Sequence, residues 1–208
     1  MHEVIPGILE KTFEEIEEKL GIIKPFSRTV HIDILDGRFS PETNFREPEA
    51  FKKYKNDFFM EVHLMVDDPT IYVKKFAAAG FNRFLGQIEM MRDMDEFIAE
   101  GQIFGEVGLA IDSTTQFESL HLPFEDIDSI LLMGVKAGKS GQTFLPGTLE
   151  KIKKIRGLTN LPLEIDGGIN DETIVKASQA GANRFVATSY IFTSKDPMQA
   201  FEHLSSLA

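Results

Sequence analysis

Short apolar runs alternate with amphipathic helical segments along the whole chain, and that alternation limits what it can fold into. Val4–Leu9 reads as a strand and Phe13–Leu20 as a charged helix. Thr29–Leu35 reads as the second strand, with Pro48–Tyr54 opening a helix after a loop that holds Pro41 and Asn44. Phe58–Val66 and Thr70–Ala79 make the third pair, and Arg83–Glu89 with a helix around Met94–Ala99 the fourth. Gly105–Ile111 is followed by a short helix near Phe117, and Ser129–Val135 by a helix over Pro146–Ile155. Leu163–Asp166 with Asp171–Ala180, then Arg184–Thr188 with Pro197–Leu207, complete the series. Strand then helix, eight times in 208 residues, is the arithmetic of a closed (β/α)8 barrel, the TIM barrel, as one domain over residues 1–208.

An internal repeat fits this reading. Ala78-Ala-Gly-Phe-Asn-Arg-Phe84 matches Gln179-Ala-Gly-Ala-Asn-Arg-Phe185 about half the chain later. Each is a helix end, a glycine stop and the start of the next strand. A barrel built of two halves predicts such a spacing.

The strand Thr29-Val-His-Ile-Asp-Ile-Leu35 carries the first chemical signal. Residues i and i+2 of a strand share a face, so His31 and Asp33 project together from a segment that is otherwise apolar. A buried carboxylate needs a metal, a counter-charge or water. Glu61-Val-His-Leu-Met-Val66 carries His63, and Leu163-Glu-Ile-Asp-Gly-Gly168 carries Asp166 before a glycine pair. In a (β/α)8 barrel, reactive groups lie at the C-terminal ends of strands. His31, Asp33, His63, Glu89, Lys136 and Asp166 all fall near those ends, and two histidines with two aspartates make a four-ligand set for a divalent metal. Asp36-Gly37 is turn chemistry. His2, His121 and His203 lie outside strand ends and read as surface residues. Leu35, Met65, Met133 and Lys136 are expected to line the pocket.

Two glycine-rich stretches are candidates for holding a phosphate, because glycine lets backbone N–H groups approach an anion closely. Gly138-Lys139-Ser140-Gly141 follows the sixth strand, and Gly167-Gly168 the seventh. Thr188-Ser189 follows the eighth, where these barrels often bind phosphate.

Composition narrows the class further. Net charge is −11, which argues against a nucleic-acid partner. It leaves a small anionic substrate open, since a pocket can be locally positive on an acidic protein. There are no cysteines, so thiolate ligands and disulfides are excluded. No apolar run is long enough to span a membrane, and Glu and Lys crowd residues 9–19, so no leader segment is expected. A cytoplasmic protein without a membrane partner is the expectation, with homo-oligomerisation left open.

His31-Ile-Asp-Ile-Leu-Asp-Gly, Val62-His-Leu-Met-Val, Gly138 to Gln142 with Phe144 and Pro146, and Glu164-Ile-Asp-Gly-Gly-Ile-Asn together resemble the ribulose-phosphate 3-epimerase family, in order and over nearly the whole chain. The resemblance implies one divalent ion, such as zinc, iron, manganese or cobalt, on His31, Asp33, His63 and Asp166. It also implies Asp33 and Asp166 as the acid–base pair for a phosphorylated ketose, D-ribulose 5-phosphate first. Epimerisation next to a ketone removes a proton from one face and delivers one to the other. A metal on the ketone oxygen would stabilise the enediolate as a Lewis acid.

The resemblance breaks in the substrate shell. A serine usual in the family's first strand is Gly7 here, and a histidine usual in its fourth is Gln87. The loop after the sixth strand carries Lys136 and Lys139 where the family has an asparagine and an apolar residue, and a glycine near the phosphate is Thr188. The metal and acid–base set is whole. Two other functions compete: a Schiff-base aldolase or lyase using Lys136, whose pKa would have to be lowered, and a non-catalytic sugar-phosphate binder.

Overall fold

The computed structural model describes residues 2–117, 121–138 and 141–208. Eight parallel strands close in sequence order into a barrel: β1 (Glu3–Ile8), β2 (Thr29–Leu35), β3 (Phe59–Met65), β4 (Arg83–Gln87), β5 (Glu106–Ile111), β6 (Ser129–Met133), β7 (Leu163–Asp166) and β8 (Arg184–Ala187), with β8 pairing β1. The helices are α1 (Phe13–Ile23), α2 (Thr70–Ala79), α3 (Met94–Gln102), α4 (Gly147–Arg156), α5 (Asp171–Ala180), a short α6 (Ser189–Phe192) and α7 (Pro197–Leu207). The expected (β/α)8 architecture is the observed one. No helix among the described residues is long and apolar enough to cross a membrane.

Local departures have local causes. The segment after β2, Pro48–Tyr54, is a 3-10 helix rather than an α-helix, entered through Pro48 at its first position. β4 stops at Gln87, and Glu89 sits on a 3-10 turn, Ile88–Met90, because its carboxylate is drawn to the Gln87 amide and the Asp112 N–H. The short helix expected near Phe117 falls partly on residues 118–120, which lie outside the described residues.

Alternation along the strands divides the core in two. Val30, Ile32 and Ile34 of β2, and Met60, Val62 and Leu64 of β3, face outward and pack with Val73 and Phe76 of α2 and Phe51. The inward residues form a second apolar cluster, Leu85, Ala110, Leu131, Met133 and Val135. Beside them the interior is rich in polar groups: His31, Asp33, Glu61, His63, Arg83, Gln87, Ser129, Glu164 and Asp166 are all buried.

The repeat is one stitching device used twice. Gly80 and Gly181 end α2 and α5 in left-handed conformations, φ 99° and 118°, which glycine adopts without a Cβ clash. Two residues on, the Asn82 N–H donates to the Met60 carbonyl at 2.8 Å, its Oδ1 accepts from the Met60 N–H at 3.3 Å, and its carbonyl accepts from the Glu106 N–H at 2.9 Å. Asn183 does the same with Leu163 and Glu3: 2.9 Å from its N–H to the Leu163 carbonyl, 2.8 Å to its Oδ1 and 2.9 Å to its carbonyl. Each asparagine thereby sets the start of its own strand against the strands on both sides.

Asn183→Ala leaves the Leu163 N–H without its acceptor in a part-buried position. It should cost about 1 kcal/mol, the usual scale for one such bond, and lower the urea midpoint without changing the slope. An unchanged midpoint would show that the stitch is dispensable.

Candidate active site

The backbone that presents the site is braced before any chemistry begins. Asn44 reaches from the β2–β3 connection to the edge of β2, donating from its side-chain amide to the Asp33 carbonyl at 2.6 Å and accepting from the Leu35 N–H at 2.8 Å. Asp36 ties the same connection to the next one, accepting from Arg38 N–H at 2.9 Å and Asp67 N–H at 2.8 Å. Asp36 is thus structural, as its Asp-Gly setting indicates. Asn44 gave no pattern-level signal, since asparagine in a loop is ordinary.

His31 and Asp33 of β2, His63 of β3 and Asp166 of β7 converge at the C-terminal mouth of the barrel. One ligand atom from each lies within 4.8 Å of the others, and all four side chains are buried. His31 Nε2 is 3.3 Å and His63 Nδ1 3.0 Å from Asp33 Oδ1, and His63 Nδ1 is 3.9 Å from Asp166 Oδ2. The far nitrogen of each ring is also engaged. His31 Nδ1–H donates to Glu61 Oε1 at 2.7 Å. His63 Nε2–H donates to Gln87 Oε1 at 2.8 Å, and the Gln87 amide is in turn held by Glu89 Oε2 at 2.6 Å. These outer bonds select the tautomers that leave His31 Nε2 and His63 Nδ1 facing the carboxylates, the usual arrangement behind metal-ligating histidines. Two imidazole nitrogens and two carboxylate oxygens suit a borderline divalent ion. Gln87, where a histidine is usual in the resembled family, is therefore a support for His63.

The electrostatics split the two aspartates. Burial alone would raise the Asp33 carboxyl, but the charge and hydrogen bond of His31, with those of His63, hold it well below the usual carboxylate range. Burial and the neighbouring Asp33 charge push Asp166 up to about 7. Burial opposes ionisation of His31 too, yet Asp33, Glu164 and Glu61 raise its pKa well above the ordinary histidine value. The metal-free site thus pairs an aspartate that stays ionised with one that titrates near neutrality.

A cavity opens directly above. Asp33, Met65, Met133, Val135 and Asp166 line its base, and Gly138, Gly141, Gly167, Gly168, Thr188 and Ser189 its rim. The six described members of the expected phosphate set are therefore brought to one cavity, whereas Lys139 and Ser140 lie outside the described residues. Gly167 and Gly168 take φ of 99° and 71°, and a Cβ on Gly167 would meet Val135 at 2.4 Å, so only glycine fits there. A Cβ on Gly7 would meet Thr188 Oγ1 at 2.6 Å. The Val186 side chain is equally close, so the space of a side chain at position 7 is filled by Val186 of β8 and by the Thr188 hydroxyl just past its end.

Two pocket expectations need correction. Leu35 lines a neighbouring cavity with Leu9, Asn44 and Gly138 rather than the space above the aspartates. Lys136 is exposed and absent from that lining. Met133 and Val135 both line the cavity, whereas Lys136, past the end of β6, is exposed. His2, His121 and His203 are exposed, as expected.

A closed parallel barrel with imidazole and carboxylate groups gathered at its C-terminal mouth defines a (β/α)8 enzyme with a candidate divalent-metal centre. Residues 3–192 match the Ribulose-phosphate 3 epimerase family, and the chain belongs to it. It is 32% identical over 210 residues to the ribulose-phosphate 3-epimerase of Schizosaccharomyces pombe, covering 97% of this chain and 91% of that one. The enzyme of the same name from Bacillus subtilis is 30% identical over 214 residues, covering 98% of each. Among solved structures, a 3-hexulose-6-phosphate synthase shares the fold with a TM-score of 0.72 at 18% identity, covering 100% of this chain and 99% of that one.

His31 and Asp166 must give up protons before they can ligate, so metal uptake and proton release are coupled. Cobalt(II) affinity of the metal-free protein should rise as pH is raised through about 7, where Asp166 loses its proton. Titration calorimetry in two buffers of different ionisation heat would count the protons released. An affinity flat between about pH 6 and 8 would contradict the assignment.

Proposed function

We propose that the protein is a metal-dependent 3-epimerase of a ketose phosphate, interconverting D-ribulose 5-phosphate and D-xylulose 5-phosphate. The observation that carries this reading is the pair Asp33 and Asp166, brought together at the floor of one cavity in surroundings that push their carboxyl groups in opposite directions. A 3-epimerase needs one carboxylate to take the C3 proton and one carboxylic acid to deliver a proton to the opposite face. After one turnover the two have exchanged states, which readies the pair for the reverse direction. His31, Asp33, His63 and Asp166 would hold the divalent ion. When bound, it supplies Lewis acidity toward the ketone oxygen and so acidifies C3.

The remaining residues fit the same substrate. Met65, Met133 and Val135 give the cavity an apolar patch beside the aspartates, against which the carbon skeleton of a sugar would pack. The Gly167-Gly168 and Thr188-Ser189 segments, with Gly138 and Gly141, would receive the phosphate. Family membership and the names of the relatives support the pentose phosphate as substrate. The Schiff-base alternative is disfavoured, because Lys136 is exposed and lies outside the cavity lining.

The test is solvent-deuterium uptake at C3 of ribulose 5-phosphate. Asp33→Asn and Asp166→Asn should each lower it by at least the ~10²–10⁴-fold typical of lost acid–base catalysis, with circular dichroism unchanged. Lys136→Met should retain exchange, and borohydride should trap no adduct on the parent. If the metal-loaded parent binds the sugar phosphate but exchanges no proton, the protein is a binder and the epimerase reading is wrong.

A further inference from the structure

The barrel floor beneath the site extends the internal repeat into the interior. β3 and β7 each carry a glutamate two residues before a candidate ligand, Glu61 before His63 and Glu164 before Asp166. In register, Glu61 sits beside Arg83 and Arg83 beside Glu106, while Glu164 sits beside Arg184 and Arg184 beside Glu3. The same Glu–Arg–Glu triplet therefore occurs twice, half a barrel apart. The inner glutamate of each flanks one atom, His31 Nδ1, with Glu61 Oε1 at 2.7 Å and Glu164 Oε1 at 3.3 Å.

The two triplets differ in how they close. Arg83 is buried, pairs through Nη1 with Glu61 Oε2, donates from Nε to Glu106 Oε2 at 2.7 Å and lies 4.9 Å from the centroid of the Phe59 ring. Glu61 is thus gripped on one oxygen by Arg83 and offers the other to His31. Arg184 makes no such closure: its Nε is 3.7 Å from Glu3 Oε2 and its buried Nη1 lacks a hydrogen-bond partner. Both buried oxygens of Glu164 also lack one.

We propose that Arg83, acting through Glu61, is the positioning residue that sets the direction of His31 toward the metal. Two carboxylates compete for one N–H, and pseudo-symmetry makes them near equivalents. The ring swings toward whichever holds it, and Nε2 on its far side swings with it. The guanidinium is a planar fork that fixes the carboxylate it grips in orientation as well as charge. Arg83 therefore makes Glu61 the fixed acceptor and leaves Glu164 a bystander. Partners behind a ligating histidine commonly govern metal affinity by 10–100-fold, and here the partner is itself held by a third residue. This inference rests on the reading of His31 as a metal ligand.

Cobalt(II) binding tests it without turnover. Metal-stripped parent and variants are titrated with cobalt(II), reading affinity by chelator competition and ligand geometry by visible absorption. Glu61→Gln and Arg83→Gln should each weaken binding by about 10–100-fold and change the visible spectrum, whereas Glu164→Gln should leave both as in the parent. Adding Arg83→Gln to Glu61→Gln should cause no further loss, because the arginine acts only through that carboxylate. A folded Arg83→Gln protein with parental affinity and spectrum overturns the proposal, as does a Glu164→Gln loss equal to that of Glu61→Gln. If Arg83→Gln does not fold, the double variant, which removes both charges of the pair together, decides. Affinity equal to that of Glu61→Gln alone supports the relay, and a further loss overturns it. A parent that takes up no cobalt(II) fails differently, by removing the metal reading of the site itself.

Discussion

Charge buried inside the barrel is the constraint on which the rest of this structure depends. An ion in a low-dielectric interior must be paired and hydrogen-bonded or it neutralises. Here Glu106, Arg83, Glu61, His31 and Asp33 form one linked column from the half-exposed N-terminal rim to the C-terminal mouth. Each member satisfies the next. Burial would lower the Arg83 pKa, but the charges of Glu61 and Glu164 and the bond to Glu106 raise it. Burial would raise Glu61, but His31 and Arg83 hold it low. Glu164 is hydrogen-bonded to no arginine, and burial together with the Glu61 charge raises its pKa against the opposing pull of His31 and Arg83. The column thus distributes charge unevenly across a symmetric frame, and at the mouth His31 and His63 hold Asp33 low while burial and the Asp33 charge raise Asp166.

The frame is a doubled half-barrel. The asparagine stitches at Asn82 and Asn183 bind equivalent strand starts, and each is followed by an arginine, Arg83 or Arg184. The chemistry is asymmetric: β3 presents a histidine at the level where β7 presents an aspartate. The repeated parts build and register the barrel, and the substituted positions supply function. The β1–β8 seam follows the same logic on a smaller scale, because the volume beside Gly7 is already taken by Val186 and Thr188.

Much of this was legible as pattern. Strand parity alone places His31 with Asp33, and the strand-end rule adds His63 and Asp166; their convergence follows once the barrel closes. The glycines at 167 and 168 were legible as a candidate phosphate contact, and both line the cavity. Other features left no such trace. Lys136 reads as a strand-end lysine until β6 is seen to end at Met133, with Val135 in the cavity lining and Lys136 exposed. Gln87 reads as a lost histidine until its two hydrogen bonds show it bracing His63. Asn44 is far from Asp33 in the chain, so nothing short-range marks it as the residue that fixes Asp33's backbone.

By itself the sequence determined the fold class, the order of elements and the four groups at the mouth. These rest on local periodicity and on the fixed geometry of strands, which act over a few residues at a time. Only the tertiary structure decided which carboxylate His31 leans on, which aspartate keeps its proton and which loop residues face the cavity. Those outcomes depend on distances between groups from different strands and on how deeply each is buried. Electrostatic energy changes steeply with both, and neither is encoded in residue spacing along one strand.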